Sequence, residues 1–169
     1  HLHLCTMPDI HYRRLEAEEL QHLEKDFVQF LAANSITAED WRDLMLNKQE
    51  QVDHILDLFS NMVWDKILEN VRFIEHRTTQ EMKVYKFNKD HMELVVLRLK
   101  QAGLDLTDGK DIQAIAAGKI DLMAQDPEIF SGKKPYEEDK KREVFNLMES
   151  GGKPCKEVFW LSVMKMIGK

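Results

Sequence analysis

The first residues of the chain carry the side chains that come nearest to a metal-binding motif. In the stretch HLHLC, His1, His3 and Cys5 alternate with leucines, and His11 follows. On an extended strand alternate side chains point to the same side, and imidazole and thiolate are ligands of zinc or copper. A closed zinc site needs four ligands, and no second His or Cys pair with metal-ligand spacing follows. We therefore expect no metal or other cofactor, and interpret residues 1–11 as an N-terminal extension, an edge strand or a leader, with a metal site left as the alternative.

A carboxylate, an imidazole and a guanidinium follow one another at Glu75, His76 and Arg77. Such a trio could perform acid–base chemistry near neutral pH. The segment is predicted to be a strand, however, and alternation then places Glu75 and Arg77 on one face and His76 on the other. We interpret the charged residues as a surface ion pair across strands, and keep the three as the catalytic candidates of this sequence.

Glu19 and His22 have the Glu-x-x-His spacing of di-iron helical bundles, in which the two side chains bind a shared ion. On a helical wheel His22 lies opposite the apolar face. His54, in the nearest comparable segment, also lies off an apolar stripe. Both histidines are therefore expected on solvated faces.

The segment SGKKPYEEDKKR, residues 131–142, combines a glycine, lysines and a predicted helix start, as phosphate-binding loops do. A P-loop lysine is followed by Ser or Thr, whereas Lys134 is followed by Pro135. The later bases are interleaved with acids, which cancels most of their field. We expect a solvated helix here, or an electrostatic contact with a partner.

Hydrophobic periodicity predicts a predominantly helical single α+β domain over residues 12–169. Residues 12–70 have apolar positions at three- and four-residue steps, which predict three helices, the first over 13–34, with Thr37 and Asp40 as a capping box. Residues 71–100 alternate and predict a three-stranded antiparallel meander, at roughly 71–77, 82–87 and 92–99, packed on helices. Residues 101–169 are predicted helical, with Asp108 as a cap, 126–135 as a loop, a stop at Ser150–Gly152, and a last helix that is the most buried of this part.

The composition and the charge of the chain limit the kinds of protein that it can be. The 169 residues are 43% hydrophobic and 32% charged, which is typical of a globular domain. The net charge of −6 divides into −8 over residues 1–70, +3 over 71–100 and −1 over 101–169, so a concentrated positive face for nucleic acid is not expected. Two distant cysteines and apolar runs too short for a membrane span or a signal peptide predict a cytoplasmic protein.

Several segments, taken in order, resemble one known family. SITAEDW (35–41), LFSNMVW (58–64), VRFIEHR (71–77) and KVYKFNKDHMEL (83–94) are similar to an uncharacterised bacterial family, of Bacteroidetes type, of domains of unknown function. The resemblance runs from about Tyr12 to the last helix and leaves residues 1–11 outside. It implies a small bacterial cytosolic protein and lends no activity.

The absence of catalytic motifs and the charge asymmetry favour a non-catalytic protein-interaction or adaptor module, whose acidic helical face and open sheet edge would recruit a protein partner. The alternative is an enzyme or small-ligand-binding protein with a pocket near the sheet, at Glu75–Arg77. Nucleic-acid binding through residues 71–100 would need the seven bases of that segment on one face. The sequence leaves a homo-oligomer open.

Overall fold

The computed structural model describes residues 10–169, so His1, His3 and Cys5 lie outside the described residues. The chain folds into two compact units, one ending at Ile67 and one running over Leu68–Lys169. The first is helical, and the second contains the sheet. The α+β class predicted from the sequence is confirmed.

The first unit is built from amphipathic helices. In chain order these are α1 (Ala17–His22), α2 (Glu24–Ala33), α3 (Ala38–Asn47) and α4 (Gln49–Asn70), most of which lies in this unit. The single helix predicted over 13–34 is divided, because Leu23 leaves helical geometry with φ −105° and ψ 18°. The predicted capping box is confirmed: Thr37 Oγ1 accepts from the Asp40 N–H at 3.0 Å, and Asp40 Oδ2 accepts from the Thr37 N–H at 3.1 Å.

Aromatic side chains form the centre of the first unit. Phe59 of α4 is fully buried. Its ring centroid lies 5.0 Å from Phe27 and 5.3 Å from Phe30, both on α2. Trp41 of α3 meets Phe27 edge-on at 5.1 Å. These distances are typical of favourable aromatic pairs, so the apolar faces predicted for the helices do meet.

The second unit contains a five-stranded antiparallel sheet of order β4-β3-β2-β1-β5. Its strands are β1 (Phe73–Arg77), β2 (Glu81–Phe87), β3 (His91–Arg98), β4 (Glu128–Pro135) and β5 (Lys153–Pro154). The predicted meander corresponds to β1–β3, but the three-stranded sheet is too small, since the predicted loop at 126–135 contains β4. This strand is polar and exposed at the sheet edge, with Gly132 and Pro135 in it, so no hydrophobic alternation marks it.

Three α-helices and one 3-10 helix complete the described part of the second unit: α5 (Gly109–Ala116), the 3-10 helix (Leu122–Gln125), α6 (Lys140–Glu149) and α7 (Glu157–Met166). The predicted cap of α5 is confirmed, because Asp108 accepts from the Lys110 N–H. After α6, Gly151 has φ +111°, as the predicted stop requires. Its N–H bonds to Met148 and that of Gly152 to Leu147, a Schellman motif.

Strands β1 and β2 bury side chains on both faces, since Ile74 and Tyr85 alternate with Phe73 and Val84. One core cluster lies on the face that α7 covers. Phe73, Val84 and Leu97 form its floor, and Trp160 and Val163 of α7 cover it. The expectation that α7 is the most buried helix of this part is wrong. Val158 is 71% exposed and Leu161 56%, because only one side of the helix meets the sheet.

Candidate ligand-binding site

Strand β1 places two of the three catalytic candidates together. Glu75 and Arg77 lie at alternate positions and share a face of the sheet. Arg77 Nη2 donates to Glu75 Oε2 at 2.8 Å. Each side chain retains about one fifth of its exposure, so the pair is partly withdrawn from solvent rather than fully on the surface.

His76 lies on the other face of the sheet, and Gly151 is its neighbour there. A Cβ atom added at Gly151 would come within 3.0 Å of His76 Nε2. The imidazole is therefore turned away from Glu75 and Arg77, as the alternation predicted. The three residues do not form one acid–base group.

A cavity of about 380 Å³ opens in the second unit beside the Glu75–Arg77 pair. Helix α5 contributes one wall, α7 another, and the sheet, the loop at Leu106 and the 3-10 helix the rest. Its lining consists of apolar side chains except for Arg77 and Ser162: Arg77, Met82, Leu106, Ile112, Ile115, Ala116, Leu122, Phe159, Ser162, Val163 and Met166. Ala116 and Ser162 are exposed, so the cavity reaches the surface between α5 and α7.

A smaller cavity of about 190 Å³ adjoins the first and is more polar. The two share three lining residues, namely Arg77, Leu106 and Ile112. The smaller one adds Glu75, Thr107, Gly151 and Lys153. Arg77 therefore lies where the two cavities meet, and we call the larger one the apolar chamber and the smaller one the polar chamber.

The Arg77 guanidinium is held in place but incompletely bonded. Its Cζ lies 5.2 Å from the centroid of the Phe159 ring, within cation–π range. Glu75 accepts from Nη2. Nε is buried and has no hydrogen-bond partner within the described residues. A buried donor without an acceptor costs free energy, which makes this guanidinium the most distinctive polar group of the site.

Cys155 lies close enough to the pair to feel both charges. Burial, followed by the Glu75 carboxylate, raises the pKa of the thiol to about 11. Its N–H donates to the Phe73 carbonyl at 3.0 Å. At neutral pH the thiol is protonated and is a poor nucleophile.

The metal candidates that the structure describes, His11, Glu19 and His22, are not gathered with other ligands among residues 10–169. His11 donates its backbone N–H to Asn61 Oδ1 at 3.0 Å. Glu19 binds Arg13, with Oε1 2.7 Å from Nη1, while His22 is exposed. Over residues 10–169 no three His, Cys, Asp or Glu side chains lie within reach of one metal ion.

His54 contradicts the expectation of a solvated face, since it is only 2% exposed. The polar side of α4 is covered by the chain that precedes α1. Arg14 Nε donates to Asp57 Oδ1 at 2.6 Å, and the Leu15 N–H donates to Ser60 Oγ at 3.0 Å. A helical wheel shows that this side is polar but does not reveal that another segment covers it.

The glycine and lysine segment forms ion pairs in place of a phosphate loop. Lys134 Nζ lies 3.7 Å from Glu143 Oε1, and Arg142 Nε lies 3.8 Å from Glu138 Oε2. Lys133 and Lys134 belong to β4. The positive charges are therefore offset by acids on α6 and just before it.

Sequence reasoning missed the cavity itself. Ile112, Ile115 and Phe159 belong to apolar stretches that predict ordinary core packing. The available signal was the small size of Ala116 and Ser162 on helices otherwise rich in bulky residues.

Fold and site together define an α+β protein whose second unit has an apolar, open cavity on one face of its antiparallel sheet. A model described as a family of unknown function, DUF6495, matches residues 10–168, and the chain belongs to that family. The predicted membership of an uncharacterised family is thus confirmed. No curated protein and no solved structure matches the chain. Among the described residues, no helix is both long and apolar enough to cross a membrane.

Proposed function

We propose that the second unit binds a small, mainly apolar molecule in the larger cavity. The observation that carries this proposal is the cavity itself, whose volume of about 380 Å³ lies in the range of roughly 300–1,000 Å³ usual for ligand pockets. Its lining offers apolar surface with one charged group at the end, and burial of apolar ligand surface there would provide the driving force.

The size and the opening of the cavity favour a ligand over loose packing. Protein interiors contain few voids larger than a water molecule. Ile112, Ile115 and Phe159 are only partly buried, so a ligand could enter without unfolding a helix. A molecule in this position would cover apolar surface on both α5 and α7.

The geometry favours binding over catalysis. Glu75 is engaged by Arg77, His76 faces away, and burial raises the pKa of the Cys155 thiol to about 11. A nucleophile adjacent to a base, which covalent catalysis uses, is not formed by these groups.

A protein-interaction role is the second candidate, and specific observations favour it. On the first unit Leu46 is 83% exposed, Val28 57% and Met45 55%. Strand β4 is an eight-residue sheet edge, and such edges can pair with another chain. Exchange of Leu46 for Lys should then abolish capture of the partner from a native lysate without altering binding of small molecules.

Nucleic-acid binding has less support. Lys83 and Lys86, separated by three positions on β2, point to opposite faces of the sheet. Six of the seven bases in residues 71–100 lie within ion-pair distance of an acid: Arg72, Arg77, Lys83, Lys86, Arg98 and Lys100. A single unpaired positive face is not formed.

The ligand proposal is tested by calorimetric titration with decanol, a neutral single-chain molecule. The wild-type protein should bind it at one site. Ala116→Trp should weaken binding by about tenfold or more, because the indole would fill the cavity mouth. Gln113→Trp, on the same helix but outside the cavity lining, is the matched control and should bind as the wild type does. Equal affinity in all three proteins, or no binding to any, would contradict the proposal.

The location, origin and domain organisation predicted from the sequence are kept as part of this proposal. We retain a cytoplasmic location, a bacterial origin and one domain over residues 12–169, with a homo-oligomer left open. The single-domain prediction is supported by the extent of the family match, which spans both units.

A further inference from the structure

We propose that the ligand of this cavity is a single-chain amphiphile with a carboxylate head, its tail in the larger chamber and its head at Arg77. This inference rests on the proposed function and adds the chemical class of the ligand. Three observations carry it: the polarity of the two chambers, the balance of charge at their junction, and the incomplete bonding of the guanidinium.

The two chambers differ in polarity, as the tail and the head group of an amphiphile do. The larger one is apolar up to Arg77. The smaller one contains Glu75, Thr107 and Lys153. A molecule that spans the junction would therefore place a hydrocarbon chain against α5 and α7 and a polar group beside β1 and β5.

The charge at the junction selects an anion. Lys153 of β5 is the register partner of Glu75 on β1, so the polar chamber contains two cations and one carboxylate. The Glu75 carboxylate neutralises one positive charge and leaves one. A monoanionic carboxylate would balance it, whereas a phosphate dianion would leave the site negative and a cation would add to the excess.

Arg77 has donors to offer such a head group. A guanidinium carries five N–H groups; Glu75 accepts from Nη2 and Nε is buried without a partner within the described residues, so the terminal Nη groups are the donors that a head group would meet. A carboxylate can accept two parallel N–H bonds from one guanidinium, which is among the strongest polar contacts in proteins. The guanidinium lies over the Phe159 ring and is bonded to Glu75, and these two contacts restrict its position before a head group binds.

Three probes of equal chain length separate the tail from the head. Decanoate, decanol and decylammonium are titrated calorimetrically at pH 7.5, below the micelle concentrations of the two ionic probes and below the solubility limit of decanol. Decanoate should bind most tightly, about tenfold more tightly than decanol, and decylammonium least tightly. If decanol binds as tightly as decanoate, the head-group inference is wrong and the proposed function stands. If none of the three binds, the proposed function itself fails.

Substitution of Arg77 tests the contact directly. Arg77→Gln should reduce the affinity for decanoate about tenfold while leaving that for decanol within about twofold. Arg72→Gln, just before the same strand and outside both cavities, should leave both affinities unchanged. Unchanged decanoate affinity in Arg77→Gln overturns the inference.

Lys153→Gln provides a second variant that does not disturb the Glu75 ion pair. Lys153 is exposed, so this variant should fold even if Arg77→Gln does not. We expect a loss of about threefold in decanoate affinity and none in decanol affinity, since an exposed cation contributes less than a half-buried one. An equal loss for decanol would contradict a role in binding the head group.

Discussion

At the residue scale, Cys155 shows how strongly its surroundings determine the chemistry of a thiol. The side chain is partly buried against the core of the second unit. Its pKa is raised to about 11, first by burial and then by the negative charge of Glu75. Only the thiolate reacts with disulfides and alkylating agents, so the same side chain would be far more reactive if it were exposed.

We therefore predict that Cys155 reacts slowly with Ellman's reagent in the folded protein. In a Cys5→Ser variant, which leaves one thiol, the rate at pH 8 should be roughly a hundredfold below that of the urea-unfolded chain, because two pKa units reduce the thiolate fraction about that much. The rate in the folded protein should continue to rise up to about pH 11. Equal rates in the folded and unfolded protein would contradict the burial of the thiol.

At the element scale, the end of α6 is determined by two glycines with different requirements. Gly151 adopts φ +111°, which side chains other than glycine rarely accept. Gly152 has no such backbone requirement but has no free space. A Cβ there would lie 2.7 Å from Ile74 Cγ2 and 2.8 Å from the Leu147 carbonyl oxygen. Helix α6 is thus fitted closely against β1.

Gly152→Ala should destabilise the protein by about 1–3 kcal/mol, because the methyl group forces the α6 C-terminus away from β1. The change is measured as a shift of the urea midpoint. Gly132→Ala is the matched control, since a Cβ at Gly132 of β4 meets no atom within 4 Å, and it should change stability by less than about 0.5 kcal/mol. Similar losses in both variants would show that the close approach to Ile74 is not the cause.

The elements also show what a single sequence can and cannot predict. The caps at Thr37 and Asp108 and the glycine stop after α6 were predictable because each depends on neighbours in the chain. Strand β4 was not, because an exposed edge strand needs only the hydrogen bonds of β3 and carries no apolar alternation. The burial of His54 was also unpredictable, because it depends on tertiary structure.

Only part of the candidate site was predictable, because some of its features depend on neighbours in the chain and others on tertiary structure. Alternation along β1 was enough to place Glu75 and Arg77 together and His76 apart. The cavity depends on how α5 and α7 are spaced above the sheet. An apolar residue such as Ile112 or Phe159 has the same pattern whether it fills a core or lines a chamber.

At the scale of the whole molecule, ion pairs across the sheet make stability depend on pH. Arg98 Nη2 lies 2.7 Å from Glu81 Oε2, and the two are register partners on β3 and β2. The hydrogen bond from Arg98, followed by the charge of Lys83, lowers the pKa of Glu81 below its ordinary 4.5. In the first unit the bond from Arg13 lowers the pKa of Glu19 in the same way.

A lowered pKa in the folded state means that the carboxylate stabilises the fold above the pKa of the unfolded chain. That stabilisation is lost as the pH falls through the lowered value, because the carboxylate of the unfolded chain has the higher pKa and binds the proton first, which favours unfolding until both states are protonated. The free energy of unfolding should thus fall as the pH decreases below about 4.5, the ordinary value for Glu.

Arg98→Gln removes the close pair with Glu81 together with a longer one, 3.8 Å, between Arg98 Nη1 and Glu128 Oε2. At pH 7 the variant should be less stable by about 0.5–1 kcal/mol, a value kept small because half of the Arg98 side chain is exposed. At pH 3 and below the difference should shrink toward zero as Glu81 is protonated. Lys89→Gln, an exposed base in the β2–β3 turn, is the control and should match the wild type at both pH values. A difference of the same size at pH 3 as at pH 7 would instead assign the loss to the contact of Arg98 with the Phe130 ring, 5.7 Å away, because that packing does not titrate with Glu81.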